Sequence, residues 1–196
     1  MGWKVRHRRP EDDARPEEFY SRPGAAVYEK NAMRKIQERI LLRALQLVEI
    51  PEGARVLDAG CGTGFGMQLL GRLGYSVSGF DVSPDMVAIA KRKKLDAVVG
   101  DLRKIPFPGS SFDAVVSVSA LQWVSVRQAG RVASEFVRVL RAGGCAVVQF
   151  YPASEEEALG YAKAFRARGF SVRMQTDSYS NARKRKVYLL LVKNQP

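Results

Sequence analysis

The stretch VLDAGCGTG, residues 56–64, decides the fold of this chain. It joins a short apolar run, which predicts a buried strand over residues 55–59, to a turn that carries Gly60, Gly62 and Gly64. Alternating glycines let the backbone bend sharply and come close to a ligand, and the first amides of the following helix then point at that ligand. A P-loop would continue with Lys-Ser or Lys-Thr, and this turn does not. The turn therefore indicates a nucleotide-like ligand and excludes a P-loop nucleotidase.

Strand and helix patterns alternate beyond this turn, which is typical of a mostly parallel sheet covered by helices on both faces. The last two strands have no helix between them, so we expect a hairpin in which one strand runs antiparallel to the rest. The expected fold is α/β, a doubly wound, seven-stranded, mostly parallel sheet with an antiparallel C-terminal hairpin. We predict helices over residues 31–50, 65–73, 84–93, 128–140 and 155–168, and strands over residues 55–59, 75–80, 95–99, 112–119, 145–150, 170–175 and 187–193.

Composition narrows the class of protein. The 196 residues carry a net charge of +12, which favours a polyanionic partner such as nucleic acid. No apolar run approaches the roughly 18 residues of a membrane span, and the basic start of the chain lacks the apolar core of a secretory signal, so we expect a cytoplasmic protein. Cys61 and Cys145 are too few for a four-cysteine zinc site, and no His/Cys/carboxylate cluster predicts a metal.

Acidic residues accompany the ends of the first three predicted strands. Asp58 precedes the glycine turn, where it suits a cationic amino-acid head group better than a pyrophosphate. Asp81 ends the next strand, the position from which an acid accepts hydrogen bonds from both ribose hydroxyls. Asp101 follows the third strand and is placed to accept a hydrogen bond from the exocyclic amine of adenine, with Leu102 packing on the adenine ring. Together these acids indicate an adenosine compound with an amino-acid portion.

With these residues the sequence resembles the class I S-adenosylmethionine-dependent methyltransferases, which have a Rossmann-like fold. The resemblance spans about residues 28–150, and a dinucleotide-binding dehydrogenase fits it poorly because of Asp58 and the pattern over 112–118. The motifs that carry it stand in the superfamily's usual order: VLDAGCGTG at 56–64, GFDVSPDM at 79–86, GDL at 100–102, PFPGSSFDAVVSVSALQWV at 106–124 and LRAGG at 140–144.

A narrower resemblance is to the guanine-N7 methyltransferase of small-subunit (18S-type) ribosomal RNA, known from eukaryotic ribosome biogenesis and from archaeal relatives. The stretch after Trp123 is shorter than in eukaryotic members, and their long basic extension with nuclear targeting is absent, which fits a compact, archaeal-like form. The segments that carry this resemblance are RPEEFYS at 15–21, Tyr28, LRAL at 42–45, SVSALQWV at 117–124, QFYP at 149–152, GF at 169–170 and YLLL at 188–191.

The resemblance implies S-adenosyl-L-methionine as cofactor and a single methyltransferase domain over residues 19–196. Residues 1–18, with mixed charge and little apolar pattern, are expected to form a flexible arm. The segment that follows the arm is expected to cover the cofactor, with Tyr28 reaching its carboxylate end or only stapling the next helix. The expected cofactor-binding residues are Tyr28, Asp58, Gly60, Cys61, Gly62, Gly64, Asp81, Val82, Met86, Asp101, Leu102 and Ser119.

Three residues near the ends of the fourth and fifth strands are the catalytic candidates: Gln122, Trp123 and Tyr151. Guanine N7 has a free lone pair and no proton to lose, so a well-positioned base needs no general base. Trp123 is expected to stack on a flipped-out guanine or, alternatively, to anchor the core. Tyr151 either contacts the base or packs on the surface. Neither cysteine is placed to attack a base.

Two partners are expected besides the cofactor. Arg183, Lys184, Arg185 and Lys186, between the last two strands, predict a grip on ribosomal RNA, with a solvated turn as the alternative. Members of the resembling family work with a small zinc-binding activator protein, which would dock along the apolar edge strand Leu95–Val99. Two other functions remain open: a small-molecule methyltransferase of the quinone or metabolite type, and a ribosome assembly factor whose catalysis is dispensable.

Overall fold

A seven-stranded sheet organises the structure, a computed structural model that describes residues 3–4, 10–21, 25, 29, 31–178 and 185–194. The strand order is β3-β2-β1-β4-β5-β7-β6, and every pairing is parallel except those of β7 with β5 and with β6. This confirms the predicted mostly parallel sheet and its antiparallel C-terminal hairpin. The strands are β1 Arg55–Ala59, β2 Ser76–Asp81, β3 Ala97–Val99, β4 Phe112–Val118, β5 Leu140–Phe150, β6 Phe170–Asp177 and β7 Lys186–Lys193.

Helices cover both faces of the sheet because the strands bury side chains on both sides. One apolar cluster joins the helices Ala129–Val139 and Glu155–Arg166 to one face, and a second joins the helices Asn31–Leu45 and Phe65–Arg72 to the other. Along β7, Leu189 and Leu191 belong to the first cluster while Tyr188 and Leu190 belong to the second. The helices are α1 Pro16–Phe19, α2 Asn31–Leu45, α3 Phe65–Arg72, α4 Pro84–Arg92, α5 Ala129–Val139 and α6 Glu155–Arg166, with short 3-10 turns at Pro10–Asp12, Leu121–Trp123 and Val126–Gln128.

The fifth strand is longer than predicted. The sequence pattern places Gly143 and Gly144 in a turn between a helix and a strand at residue 145, whereas β5 already begins at Leu140. The register against β4 shifts within this stretch, where Gly143 has a φ of +72°. Gly143 therefore serves this irregular strand start, because glycine adopts a positive φ without strain.

The described parts of the N-terminal segment, for which a flexible arm is expected over residues 1–18, contain local structure and backbone hydrogen bonds. Pro16–Phe19 form the short helix α1, with proline at the first turn and Glu17 and Glu18 where acids favour the helix dipole. Further toward the start, the carbonyl of Trp3 accepts a hydrogen bond of 3.1 Å from the backbone amide of Glu155. Backbone contacts of this kind attach the described portions of the arm to the domain.

Candidate active site

A cavity of about 430 Å³ opens at the carboxyl edge of the sheet, beside the ends of β1, β2 and β4. In a doubly wound sheet this edge is the usual place for a ligand, because the strand order reverses there. Arg15, Pro16, Glu17 and Tyr20 line it from the N-terminal segment. Of the residues predicted from the sequence, those that line this cavity are Gly60, Gly62, Asp81, Val82, Met86, Asp101, Leu102, Ser119 and Trp123.

The glycine turn is fastened to β2. The amides of Gly60 and Cys61 both donate to the carbonyl of Phe80 at 2.9 Å. A Cβ atom on Gly60, whose φ is +87°, would lie 2.5 Å from the Cβ atom of Ala120. This position therefore requires glycine both for its conformation and for the close approach of the loop that follows β4.

Asp81 connects the glycine turn to the start of α4. Its carboxylate accepts hydrogen bonds of 2.9 Å from the amides of Gly62 and Ser83. Burial raises the pKa of Asp81, whereas these amide hydrogen bonds act in the opposite direction. The side chain of Ser83 in turn caps α4 by accepting a 3.3 Å hydrogen bond from the amide of Met86. Asp81 thus presents a carboxylate to the cavity while holding two of its walls in register.

Asp58 does not line the main cavity. Together with Cys61 it lines a small adjoining cavity of about 30 Å³, and Gly60 lines both. Only 6% of Asp58 is exposed, and burial together with the negative charge of Asp81 raises the pKa of Asp58 to about 7. Its carboxyl group is therefore poised between the protonated and the ionised form near neutral pH.

Asp101 holds a cation of its own. The Nε atom of Arg103 lies 2.8 Å from Oδ1 of Asp101, and the same guanidinium donates to Gln128 at 3.1 Å. The hydrogen bonds from Arg103 lower the pKa of Asp101, so this carboxylate is ionised at neutral pH. Arg103 also lines the cavity, and the sequence analysis did not identify it. The two-residue spacing of this pair carries no sequence signal, because the pair depends on the turn that follows β3.

The three catalytic candidates occupy different positions. Trp123 lines the cavity, and its ring centroid lies 5.6 Å from those of both Phe19 and Tyr20. Gln122 and Tyr151 are absent from the cavity lining; Gln122 donates to the carbonyl of Ser119 at 2.9 Å. Burial raises the pKa of the Tyr151 hydroxyl, which interacts with Ser119 and Gln149. In the part of the chain that the structure describes, Nε1 of Trp123 and Oε1 of Gln122 are buried without a hydrogen-bond partner.

Comparison with known proteins identifies the family. The model of the "Methyltransferase domain" family matches residues 57–148. The 18S rRNA (guanine-N(7))-methyltransferase of Schizosaccharomyces pombe is 33% identical over 199 residues, which cover 93% of this chain and 74% of that protein. This chain belongs to the 18S rRNA guanine-N7 methyltransferase family.

Solved structures agree on the fold of this family member. A methyltransferase of Haloferax volcanii, solved in complex with the Trm112 methyltransferase activator, superposes with a TM-score of 0.75 at 19% identity, covering 92% of this chain and 98% of that one. Magnesium protoporphyrin IX methyltransferase from Synechocystis, solved with bound SAM, superposes with a TM-score of 0.70 at 20% identity, covering 91% and 95%. The predicted S-adenosylmethionine-dependent methyltransferase fold is therefore confirmed.

The N-terminal residues of this methyltransferase reach the cavity through a contact that sequence reasoning missed. The Ser83 hydroxyl donates a 2.9 Å hydrogen bond to the carbonyl of Tyr20. This bond joins the end of α1 to the start of α4. The motif RPEEFYS marks the segment as typical of the family. It does not predict this hydrogen bond, because any residue can accept one through its backbone carbonyl.

Several predicted site residues of the methyltransferase lie elsewhere. Gly64 lines neither cavity and instead precedes α3, with a φ of +87°. Tyr28, Arg183 and Lys184 lie outside the described residues. The Arg185 guanidinium carbon sits 4.2 Å from the ring centroid of Trp3, and Lys186 begins β7. Because β7 runs antiparallel to β5, the end of β6 and the start of β7 lie at the same edge of the sheet as the cavity.

Neither cysteine of the methyltransferase borders the main cavity. Burial raises the pKa of both thiols, and the Sγ atom of Cys145 lies 3.7 Å from the carbonyl oxygen of Glu49. Over the described residues, no three His, Cys, Asp or Glu side chains are grouped so as to hold a metal ion. In the same part of the chain, no helix is long and apolar enough to cross a membrane.

Proposed function

We propose that this methyltransferase modifies N7 of a guanine in small-subunit ribosomal RNA during ribosome maturation. The observation that carries the proposal is the match over 93% of this chain to a curated 18S rRNA (guanine-N(7))-methyltransferase. A net charge of +12 supports an RNA substrate over a small metabolite, because RNA binding depends on neutralising phosphates.

The main cavity fits S-adenosylmethionine. The two amide hydrogen bonds to Asp81 hold its carboxylate at the end of β2, where it would accept hydrogen bonds from the ribose hydroxyls. Asp101 and Leu102, which also line the cavity, would bind the adenine. Asp58 and the glycine turn would receive the amino-acid end, with Tyr28 at its carboxylate. When bound, this cofactor supplies a methyl group already activated on a sulfonium sulfur. The remaining residues proposed to line its site are Gly60, Gly62, Val82, Met86 and Ser119, whereas Cys61 and Gly64 would shape the glycine turn without lining the main cavity.

On the substrate side, the task of the protein is to orient a base, since guanine N7 reacts through a free lone pair. Trp123 supplies an aromatic surface at the cavity, and base–aromatic stacking contributes about 1–3 kcal/mol. Gln122 does not line the cavity and donates to the carbonyl of Ser119, so it would position the segment that carries Trp123 rather than contact the base. Tyr151 would act behind this surface, through Ser119 and Gln149, rather than on the base itself.

Two surfaces are proposed for partners. Arg183, Lys184, Arg185 and Lys186 would grip RNA, which is supported by the position of the end of β6 and the start of β7 at the edge of the sheet that holds the cavity. A small zinc-binding activator protein would dock on β3, which is an edge strand with Val99 50% exposed. The Haloferax volcanii methyltransferase solved in complex with the Trm112 methyltransferase activator supports an activator as partner. We place the enzyme in the cytoplasm.

The test is transfer of a labelled methyl group from S-adenosylmethionine to purified small ribosomal subunits, followed by nuclease mapping. We expect one N7-methylguanine, no label on large subunits, and much less label with Asp81→Ala at limiting S-adenosylmethionine. That variant removes charge-assisted hydrogen bonds worth about 1.5–3 kcal/mol, which corresponds to roughly 10- to 150-fold weaker cofactor binding. Label on a small-molecule acceptor with none on RNA would overturn the proposed substrate, and tight cofactor binding without any transfer would favour a non-catalytic assembly factor.

A further inference from the structure

Lys93 differs from the other members of the basic run at residues 91–94. Its side chain is 21% exposed, whereas Lys91, Arg92 and Lys94 are exposed. Its Nζ atom lies 2.7 Å from Oε1 of Glu29, 2.9 Å from the carbonyl oxygen of Thr63, and 4.4 Å from the ring centroid of Phe65. A cation at the end of α4 can interact favourably with the helix dipole while it remains exposed to solvent. The helix dipole therefore does not explain why Lys93 makes these three contacts.

Each of these contacts belongs to a part of the proposed cofactor site. Thr63 lies within the glycine turn, and Phe65 begins the helix that follows it. The amide of Gly62, the residue before Thr63, donates to Asp81 at 2.9 Å. The turn is therefore held by a carboxylate that lines the cavity and by the ammonium of Lys93, which does not line it.

Glu29 connects Lys93 to the N-terminal segment. Backbone hydrogen bonds run from the Glu29 amide to the carbonyl of Ala25 at 3.2 Å and from the Ala25 amide to the carbonyl of Ser21 at 2.9 Å. Ala25 is 1% exposed, and Tyr20, next to Ser21, lines the main cavity. These bonds join the residue held by Lys93 to the residues that line the cavity.

We propose that Lys93 is a positioning residue for cofactor binding. It fixes the glycine turn and fastens the N-terminal segment to that turn through Glu29. This role rests on the proposed function, since it presumes that the cavity holds S-adenosylmethionine. Lys93 does not line the cavity, so it acts through Thr63 and Glu29 rather than by contact with the cofactor.

The test compares Lys93→Met with Lys91→Met, which removes the same charge and the same type of side chain from an exposed position of the same run. Loss of the ammonium leaves a carboxylate and a carbonyl without their shared donor. For a pair that is partly exposed, we expect Lys93→Met to weaken S-adenosylmethionine binding about 5- to 30-fold and to speed release of S-adenosylhomocysteine by a similar factor. Lys91→Met should match the wild type in both measurements.

Two further measurements separate positioning from general stability. At saturating S-adenosylmethionine, methyl transfer by Lys93→Met to small subunits should stay near the wild-type kcat, so the loss appears in KM. Glu29→Gln should reproduce part of the loss, and the double variant should lose less than the sum of the two single changes, because both disrupt one contact.

Equal cofactor affinity of Lys93→Met and Lys91→Met would overturn the proposal. So would a fall in kcat that matches a fall in melting temperature, with KM unchanged. If Lys93→Met does not fold, Glu29→Gln decides alone by the same binding measurement. Failure of the wild type to bind the cofactor would instead overturn the proposed function, so the two failures are distinguishable.

Discussion

Asp58 and Asp101 flank the same proposed cofactor, yet their surroundings have opposite effects on their charge. Burial raises the pKa of Asp58 to about 7, while Arg103 lowers the pKa of Asp101. A buried carboxyl group without a cation retains a proton, and one with a guanidinium loses it. At neutral pH, therefore, Asp101 is an anion paired with Arg103, and Asp58 is divided between its protonated and ionised forms.

This contrast predicts a pH dependence of cofactor binding. A bound cationic amino group favours the ionised form of Asp58, so binding below about pH 7 must release the proton that this group holds in the free enzyme. Affinity should therefore rise with pH toward about 7 and level off above it. Calorimetry in two buffers of different ionisation enthalpy should detect the released proton about one pH unit below that value.

Asp58→Asn is the control for this prediction, because it keeps the shape of the side chain and cannot titrate. Its binding should be weaker and independent of pH over the same interval, with no proton released. If the wild type shows no proton release on the acidic side of neutrality, then Asp58 is already ionised in the free enzyme or does not sense the cofactor.

Single residues also mark the limit of what the sequence reveals. Strand ends and glycine turns are local patterns, so the sequence predicts the residues that meet at one cavity: Gly60, Gly62, Asp81, Asp101 and Leu102. It does not predict the partner of Asp101 or the contacts of Lys93, because both depend on where separate segments of chain meet. The basic run at residues 91–94 by itself indicates only a solvated helix end, since charge spacing alone does not reveal that Glu29 and Thr63 lie beside Lys93.

At the level of elements, α1 is held against α4 by Ser83, whose hydroxyl serves both. We expect Ser83→Ala to lower the free energy of unfolding by about 1–2 kcal/mol, because it removes the helix cap and the bond to the carbonyl of Tyr20. It should also weaken S-adenosylmethionine binding, since Tyr20 lines the cavity. Thermal unfolding and calorimetry measure the two effects.

Ser154→Ala provides a matched control for the Ser83 variant. Ser154 caps α6 by accepting a 3.1 Å hydrogen bond from the amide of Glu157, and it does not line the main cavity. Both variants should melt at lower temperature, while only Ser83→Ala should bind the cofactor less tightly. Equal cofactor affinity in the two variants would show that the tie between α1 and α4 is irrelevant to the site.

The connection between β6 and β7 predicts a salt-dependent RNA contact. Arg185 lies against Trp3 and Lys186 begins a strand, so Arg183→Ser with Lys184→Ser tests the grip without disturbing either. If each neutralises one phosphate, the slope of log affinity against log salt should flatten by roughly 1.4 to 1.8 for the pair. Filter binding of ribosomal RNA across a salt series measures this slope, and coincident slopes would assign the RNA surface to another part of the chain.

The predicted boundaries of helices and strands agree with the structure where they depend on a local sequence pattern. They differ from it where pairing with a distant strand sets the boundary. β1 spans the predicted residues 55–59, and the helices α3 and α4 each end one residue early. β5 begins five residues before the prediction, because pairing with β4 draws the glycine-rich stretch into the sheet. No local pattern announces such pairing, which depends on a strand far away along the chain.

For the whole molecule, the exposed edge at β3 predicts the behaviour of the isolated chain. Unpaired backbone groups beside an apolar side chain such as Val99 invite strand addition. We expect the chain to self-associate or to show weak activity alone, and co-expression with a small activator of the family's type to yield a monodisperse, active complex. Light scattering and methyl transfer with and without the activator test this.

Val99→Lys should abolish docking of the activator while making the isolated chain more soluble, because a charge at an edge discourages strand addition. Val192→Lys is the matched control, since Val192 is exposed to a similar degree on β7, at 52% against 50% for Val99. A fully active monomer without any activator would count against the proposed surface, as would equal loss of docking in the two variants.

The position of β7 has a consequence for how the chain matures. β7 follows β6 along the chain, but it lies between β5 and β6 in the sheet. A nascent chain that has emerged only as far as residue 178 therefore carries β5 with the backbone groups of one edge unpaired. In the same chain β6 has no neighbouring strand to pair with. Such a chain is exposed to misassembly until residues 186–193 are free to insert. The sheet can therefore be completed only after this segment has been synthesised, long after the glycine turn.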